Sequence, residues 1–233
     1  MKRQHLIAIV LIAALFSFVS CSFSMTATLR SDQQIEVSYS GAIKPKMAEL
    51  LKGFNSASGA KNSLLISAAS VSASLQKISE LSRISVKETD AQALAGSLWI
   101  TDPEKLSRRF SFISQKLGSG ESVLTFTVSR ESAPQLLSLF TQDVRDYLDA
   151  LMAPVLSGEK LTNAEYLALV TSVYGKTIAQ EIESSRLALD IQVPGKITKV
   201  IGGTAAESRA SFSIPLLDLL VLQKTLNYQV VWN

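Results

Sequence analysis

The chain of 233 residues has one histidine, His5, and one cysteine, Cys21, and both lie near its N-terminus. A single cysteine excludes an intrachain disulfide. If residues 1–20 are removed and Cys21 is acylated, the mature chain has neither a histidine nor a free thiol. These absences exclude Ser-His-Asp and Cys-His triads, a structural zinc site and a 2-His-1-carboxylate iron site. We therefore predict no catalytic residue, no metal and no cofactor.

The chain also lacks a strong excess of charge, with 23 basic and 20 acidic residues. Loss of Lys2 and Arg3 with the first 20 residues would leave 21 basic residues against the same 20 acidic ones. Nucleic-acid binding needs a pronounced basic surface. The composition therefore predicts no nucleic-acid partner.

The N-terminal residues have the pattern of an export signal. The basic pair Lys2-Arg3 precedes an apolar run from Leu6 to Phe18, and small Ser20 stands directly before Cys21. The run is shorter than the stretch of about 20 residues that a spanning helix needs. We predict a signal peptide over 1–20 and a single domain over 21–233. An ordinary secretory signal that is cut near Ser20 and leaves a free thiol is the alternative interpretation.

This segment resembles the lipobox signal of bacterial lipoproteins. The resemblance implies that Cys21 is the lipidation site, carries acyl chains such as palmitate and becomes the new N-terminus. Two or more acyl chains hold a protein stably on a membrane. We therefore expect a protein anchored to the cell membrane or the outer membrane of an envelope, facing the periplasm or the cell surface.

Hydrophobic periodicity predicts a mixed α+β fold. Alternation over 23–29 and again over 35–39 predicts a β-hairpin that begins next to Cys21. Helices are predicted after Pro45, around 71–81 and after Asp102, which we expect to be an N-cap with Pro103 in the first turn. Strands are predicted at 84–86, 94–100 and 123–128.

The region 133–183 is predicted to be a long helical hairpin. An apolar stripe runs through 137–151, and Thr162 with Glu165 forms a capping box that opens a helix extending to about Glu183. The linker 153–161 is short enough for the two helices to lie antiparallel. Six apolar residues of the second helix are expected to face inward: Leu169, Val170, Val173, Tyr174, Ile178 and Ile182.

The C-terminal stretch Leu187 to Trp232 is predicted to return to strands, the first of them over 187–193, with a short buried helix or turn at 215–222. We expect its strands and the N-terminal hairpin to share one antiparallel sheet on which the helices pack. The stretch contains the motifs Val193-Pro194-Gly195-Lys196-Ile197, Gly202-Gly203 and Tyr228-Val230-Trp232. With these motifs it resembles the end of LppM-like bacterial lipoprotein domains, and the chain is also similar to uncharacterised spirochaetal lipoproteins. The LppM resemblance implies an anchored α+β domain with a role in envelope lipid handling or assembly, and it transfers no catalytic residue.

Two function classes remain after the weak motifs are weighed. Ser-x-x-Lys spacings recur at chance frequency in this serine-rich chain, without the companion motifs of penicillin-recognising enzymes. Asp143, Asp146 and Asp149 are expected to lie on the solvated face of a helix. We favour a non-catalytic protein that binds an envelope protein or an apolar ligand such as lipid, in a cavity between the sheet and the helices. A carboxylate-dependent hydrolase that acts on an envelope polymer is the alternative.

Five aromatic residues are expected to belong to the core more than to a ligand platform, because they lie in or beside predicted strands. They are Trp99, Phe110, Phe112, Phe126 and Trp232.

Overall fold

A computed structural model describes residues 22–30, 34–50, 67–116, 118, 120–138 and 142–233. Two β-sheets and a set of helices make up this part of the chain, which confirms the predicted α+β class. The predicted signal peptide and Cys21 lie outside the described residues.

The larger sheet has seven strands in the order β3-β4-β2-β1-β7-β10-β9. The strands are β1 Ser22–Leu29, β2 Ile35–Ala42, β3 Leu81–Asp90, β4 Ala93–Ile100, β7 Arg186–Gln192, β9 Thr204–Ala206 and β10 Arg209–Pro215. The predicted N-terminal hairpin is confirmed as the antiparallel pair β1–β2. β1 also pairs with β7, and this pairing is parallel. The hairpin therefore lies at the centre of the sheet, and the sheet is mixed where a purely antiparallel one was expected.

The second sheet has four strands in the order β5-β6-β11-β8. They are β5 Ile113–Lys116, β6 Ser122–Val128, β8 Ile197–Ile201 and β11 Leu226–Trp232. The expectation that the N-terminal hairpin and the C-terminal strands share a sheet is confirmed for β7, β9 and β10. It fails for the closing strand β11, which lies between β6 and β8 in the second sheet. The chain passes from one sheet to the other at Gly202-Gly203. Gly202 has φ +80°, and an added Cβ there would lie 2.6 Å from the Tyr228 ring, so this turn requires glycine.

Nine helical segments occur among the described residues. They are α1 over 45–50, α2 Ala68–Gln76, α3 Pro103–Arg109, α4 Ala133–Leu137, α5 Gln142–Leu151, α6 Ala153–Leu156, α7 Asn163–Tyr174, α8 Lys176–Ser184 and α9 Leu216–Val221. Asp102 caps α3 as predicted, because its side chain accepts a hydrogen bond from the Lys105 N–H at 3.0 Å. Leu81, which the sequence predicts at the end of the second helix, begins β3 instead.

The prediction of two long helices over 133–183 is wrong, because shorter helices take their place. Its first arm is divided into α4, α5 and α6, and its second arm into α7 and α8. Gly175 separates α7 from α8 with φ +91°, a conformation that other residues adopt at a cost. The two halves of the second arm therefore present different faces to the core.

One hydrophobic cluster of buried residues includes the inward faces of both sheets and residues of the helices. In the larger sheet the alternation is regular: Phe23, Met25 and Ala27 are buried on β1, whereas Ser24 is exposed. Of the helices described, none is long and apolar enough to cross a membrane.

Candidate functional site

Helix α7 is unusual for a surface helix because it carries almost no charge. Between Glu165 and Lys176 the sequence has no charged residue. The exposed face of a surface helix normally carries charged and polar residues, and its apolar residues face the core. In this fold only Tyr166 and Val170 of α7 are buried, so part of its apolar surface faces outward.

The capping box predicted at the start of α7 is confirmed. The Thr162 hydroxyl accepts a hydrogen bond from the Glu165 N–H at 3.2 Å, and a Glu165 carboxylate oxygen accepts one from the Thr162 N–H at 2.8 Å. The Thr162 hydroxyl also donates a hydrogen bond to the Glu165 carboxylate at 2.8 Å. The Thr162 N–H and, to a smaller extent, the Thr162 hydroxyl therefore hold the pKa of Glu165 below its ordinary value. The first turn of α7 is therefore fixed by local chemistry.

Tyr166 joins α7 to the preceding helices. Its side chain is 2% exposed, and its hydroxyl donates a hydrogen bond to the Leu151 carbonyl at 3.0 Å. Burial raises the pKa of Tyr166 well above its ordinary value, and the charge of Tyr174 adds to this effect. The phenol therefore stays neutral and serves as a fixed structural link.

An apolar groove of about 490 Å³ lies between the α5–α6 segment and α7. Its walls include Leu151, Tyr166 and Val170, together with Leu169 and Val173, whose side chains are 43% and 61% exposed. The prediction that Leu169 and Val173 face inward is wrong, because the break at Gly175 lets α7 bury the Tyr166–Val170 edge instead. The groove also lies among helices, and not between sheet and helices as expected.

Polar groups of the groove lie beside this apolar surface and include Ser157, Glu159 and Tyr174. The Ser157 hydroxyl donates to the Pro154 carbonyl at 3.1 Å. Arg130 fixes the loop that carries Glu159: its guanidinium donates to the Glu159 carbonyl and to the carbonyls of Val221 and Leu222. Hydrogen bonds of Arg130 therefore connect the loop at Glu159, which forms part of the groove wall, to the end of α9.

The sequence also singles out a row of aspartates and the lipidation cysteine. Asp143, Asp146 and Asp149 lie on α5, and Asp149 is partly exposed. Across the described ranges, no group of three or more potential metal-binding side chains occurs. The lipidation site Cys21 falls outside those ranges, and β1 begins at the next residue, Ser22.

The aromatic residues divide into two groups. Phe110, Phe112, Phe126 and Trp232 are buried in the core, as predicted. Trp99 is only partly buried, on the outer face of the larger sheet, where the guanidinium groups of Arg30 and Arg83 lie over its ring. Sequence reasoning missed this arrangement, because the two arginines are far from Trp99 in the chain.

Comparisons with known proteins show no family and a distant structural likeness. No family model and no curated protein matches the chain. One solved structure is similar, the NMR structure of the folded domain of the Mycobacterium tuberculosis LppM protein. It has a TM-score of 0.44 and 7% sequence identity, over 94% of this chain and 91% of that one. A likeness this distant transfers neither a function nor site residues.

Proposed function

We propose that the protein is a lipid-anchored envelope protein that acts by binding, and that the groove beside α7 holds the acyl chain of a lipid. The observation that carries the proposal is the groove itself, whose apolar wall on α7 is left partly exposed.

Anchoring is supported by the sequence and by the start of the fold. The basic stub, the short apolar run and Ser20-Cys21 have the order of a lipoprotein signal. Ser22, the residue after the cysteine, already belongs to β1. A domain with no spacer stays close to its anchor and therefore to the lipids of the membrane.

The chemistry of the groove favours an acyl chain over a polar ligand. Ligand pockets usually have volumes of about 300–1,000 Å³, and apolar walls with few polar groups suit apolar ligands. The groove is within this range and its walls are mainly aliphatic and aromatic. The Tyr166 hydroxyl already donates its proton to the Leu151 carbonyl, so it has no proton left to donate to a polar ligand.

Photo-crosslinking tests the proposal in the full chain. Cells that express the protein would be fed a diazirine fatty acid, irradiated and digested with trypsin. Lys160 and Lys176 bound the peptide 161–176, which contains Leu169, Val170 and Val173. We expect a lipid adduct on this peptide.

Two glutamate variants provide the matched control. Val173→Glu places a charge in the groove and should reduce the adduct at least tenfold. Ser172→Glu adds the same charge on the same helix at an exposed residue that does not line the groove, and should leave the adduct unchanged. Equal labelling of both variants, or no adduct in the wild type, would contradict the proposal. Turnover of an envelope glycan that disappears on mutating an acidic pair would instead favour the hydrolase.

Anchoring has its own test. Cys21→Ser should abolish acyl labelling and release the protein from membranes, because Cys21 is the only cysteine. Membrane association that is unchanged in this variant, with no acyl label in the wild type, would contradict the lipoprotein interpretation.

A further inference from the structure

A cluster of three side chains lies on the outer face of the larger sheet, away from the groove residues. Trp99 lies on β4 and is partly exposed. The guanidinium carbon of Arg83 is 4.4 Å from the centre of its ring, and that of Arg30 is 5.1 Å from it. Both distances are within the range of cation–π attraction. Two cations therefore share one indole.

The backbone at Arg83 is strained in a way that arginine does not favour. Arg83 has φ +49°, and the pairing of β3 with β4 shifts register between Ser82 and Ser85. Glycine or asparagine adopts this conformation more readily than a long side chain does. Irregularities of this kind turn a side chain in a new direction, and strain of this kind is concentrated at functional sites. Here the residue in the strained position is the one that covers Trp99.

The cluster has a surplus of positive charge. Arg30 pairs with Glu36 at 3.1 Å, and both side chains are nearly half exposed. Arg83 is exposed and forms no ion pair with any residue that the structure describes. An arginine has five N–H donors in a planar fork that fits a carboxylate or a phosphate. The donors of Arg83 are therefore available to an external oxyanion.

The cluster lies far along the sheet from the predicted anchor, which favours a ligand from solution over a lipid. Trp99 pairs with Glu36, and Glu36 pairs with Thr28 near the end of β1. Six residues of extended strand separate Thr28 from Ser22, a distance of about 20 Å. This exceeds the screening length of about 8–10 Å at physiological salt. If Cys21 is the anchor, as proposed above, the cluster is remote from the lipid attachment point.

We propose that Arg30, Arg83 and Trp99 form a binding site for an oxyanion group, a carboxylate or a phosphate, on a water-soluble ligand. Arg83 is the main donor. Trp99 holds both guanidinium groups in place by cation–π contact, and Glu36 limits the charge by neutralising Arg30.

Inorganic pyrophosphate and a hexaglutamate peptide are the probes. Each would be titrated into the full chain in non-ionic detergent, and binding followed by Trp99 emission and by calorimetry. The other tryptophan, Trp232, is 3% exposed and contributes a constant background. At least one probe should bind saturably and lose affinity as salt is added. Absence of binding by both probes up to millimolar concentration would overturn the proposal.

Variants at two positions separate function from structure. Arg83→Gly relieves the strained backbone, so it should keep or raise the melting temperature while weakening probe binding at least tenfold. Glu36→Gln frees Arg30 and should strengthen binding. Unchanged binding in Arg83→Gly would overturn the proposal. A second result would also overturn the proposal: binding to phosphatidylglycerol vesicles that depends on Arg83, with no binding of either soluble probe. The site would then recognise a membrane. These outcomes are independent of crosslinking in the groove.

Discussion

Replacing Thr162 by alanine should destabilise the protein through the start of α7. The change removes the hydroxyl that accepts the Glu165 N–H at 3.2 Å and donates to the Glu165 carboxylate at 2.8 Å. One N–H of the first turn then loses its protein partner. The site is exposed, so water replaces part of the lost bond, and loss of such a cap typically costs about 0.5–2 kcal/mol. We expect a loss of about 1 kcal/mol in the free energy of unfolding.

Denaturant titration of Thr162→Ala and Thr162→Ser measures this effect. Serine keeps the hydroxyl, so Thr162→Ser should remain close to the wild type while Thr162→Ala has a lower midpoint. The charge of Glu165 adds a pH dependence. Its pKa is lowered in the folded state, so its contribution is complete above the ordinary carboxyl pKa of about 4.3 and is lost as the pH falls through the folded pKa. Equal midpoints for the alanine and serine variants would refute the capping argument.

Three other changes test separate features of the fold. Gly96→Ala should lower the free energy of unfolding by about 1–3 kcal/mol, because the new Cβ would collide with the Tyr39 hydroxyl and a β3 carbonyl. A melting temperature equal to that of the wild type would contradict this packing. Glu207→Gly should be more stable than Glu207→Ala by about 1 kcal/mol in denaturant titration, because residue 207 has φ +50°; equal stability would argue against that turn. Lys105→Ala should lower the free energy of unfolding by about 1–3 kcal/mol at pH 7, because the Glu80 carboxylate, which is only 4% exposed, loses its ion pair. Burial opposes ionisation of Glu80, but the Lys105 hydrogen bond and others lower its pKa overall, so this stabilisation is present above about pH 4.3 and should disappear on acidification; a cost independent of pH would contradict it.

Strands with strict alternation could be predicted from the sequence because one face of each is buried. Phe23 to Leu29 and Leu187 to Ile191 follow this rule, and both segments are strands as predicted. The edge strands β5 and β9 were missed. β5 has four residues, and β9 has three exposed ones, so neither carries enough alternation to be recognised.

Sheet membership depends on long-range pairing that no local pattern encodes. β1 and β7 are separated by more than 150 residues, yet they are parallel neighbours. β11 alternates from Leu226 to Val230 as strands of the larger sheet do, but it belongs to the other sheet. Both placements depend on how all the strands and helices pack together in the core.

The candidate sites were only partly predictable. The capping box of α7 depends only on neighbouring residues, so Thr162 and Glu165 alone predict it. The groove depends on the break at Gly175, which decides that Leu169 and Val173 stay exposed while Tyr166 is buried. A glycine inside an apolar pattern was the available signal, and its effect on the two helix faces needed the three-dimensional structure.

Native mass spectrometry of the full chain, extracted from its membrane in mild detergent, tests the central claim most directly. We predict a non-covalent lipid adduct in addition to the mass of the acylated Cys21. The adduct should persist in Ser172→Glu and be lost in Val173→Glu. A protein that carries no lipid beyond its covalent anchor, or the same adduct in both variants, would contradict the account.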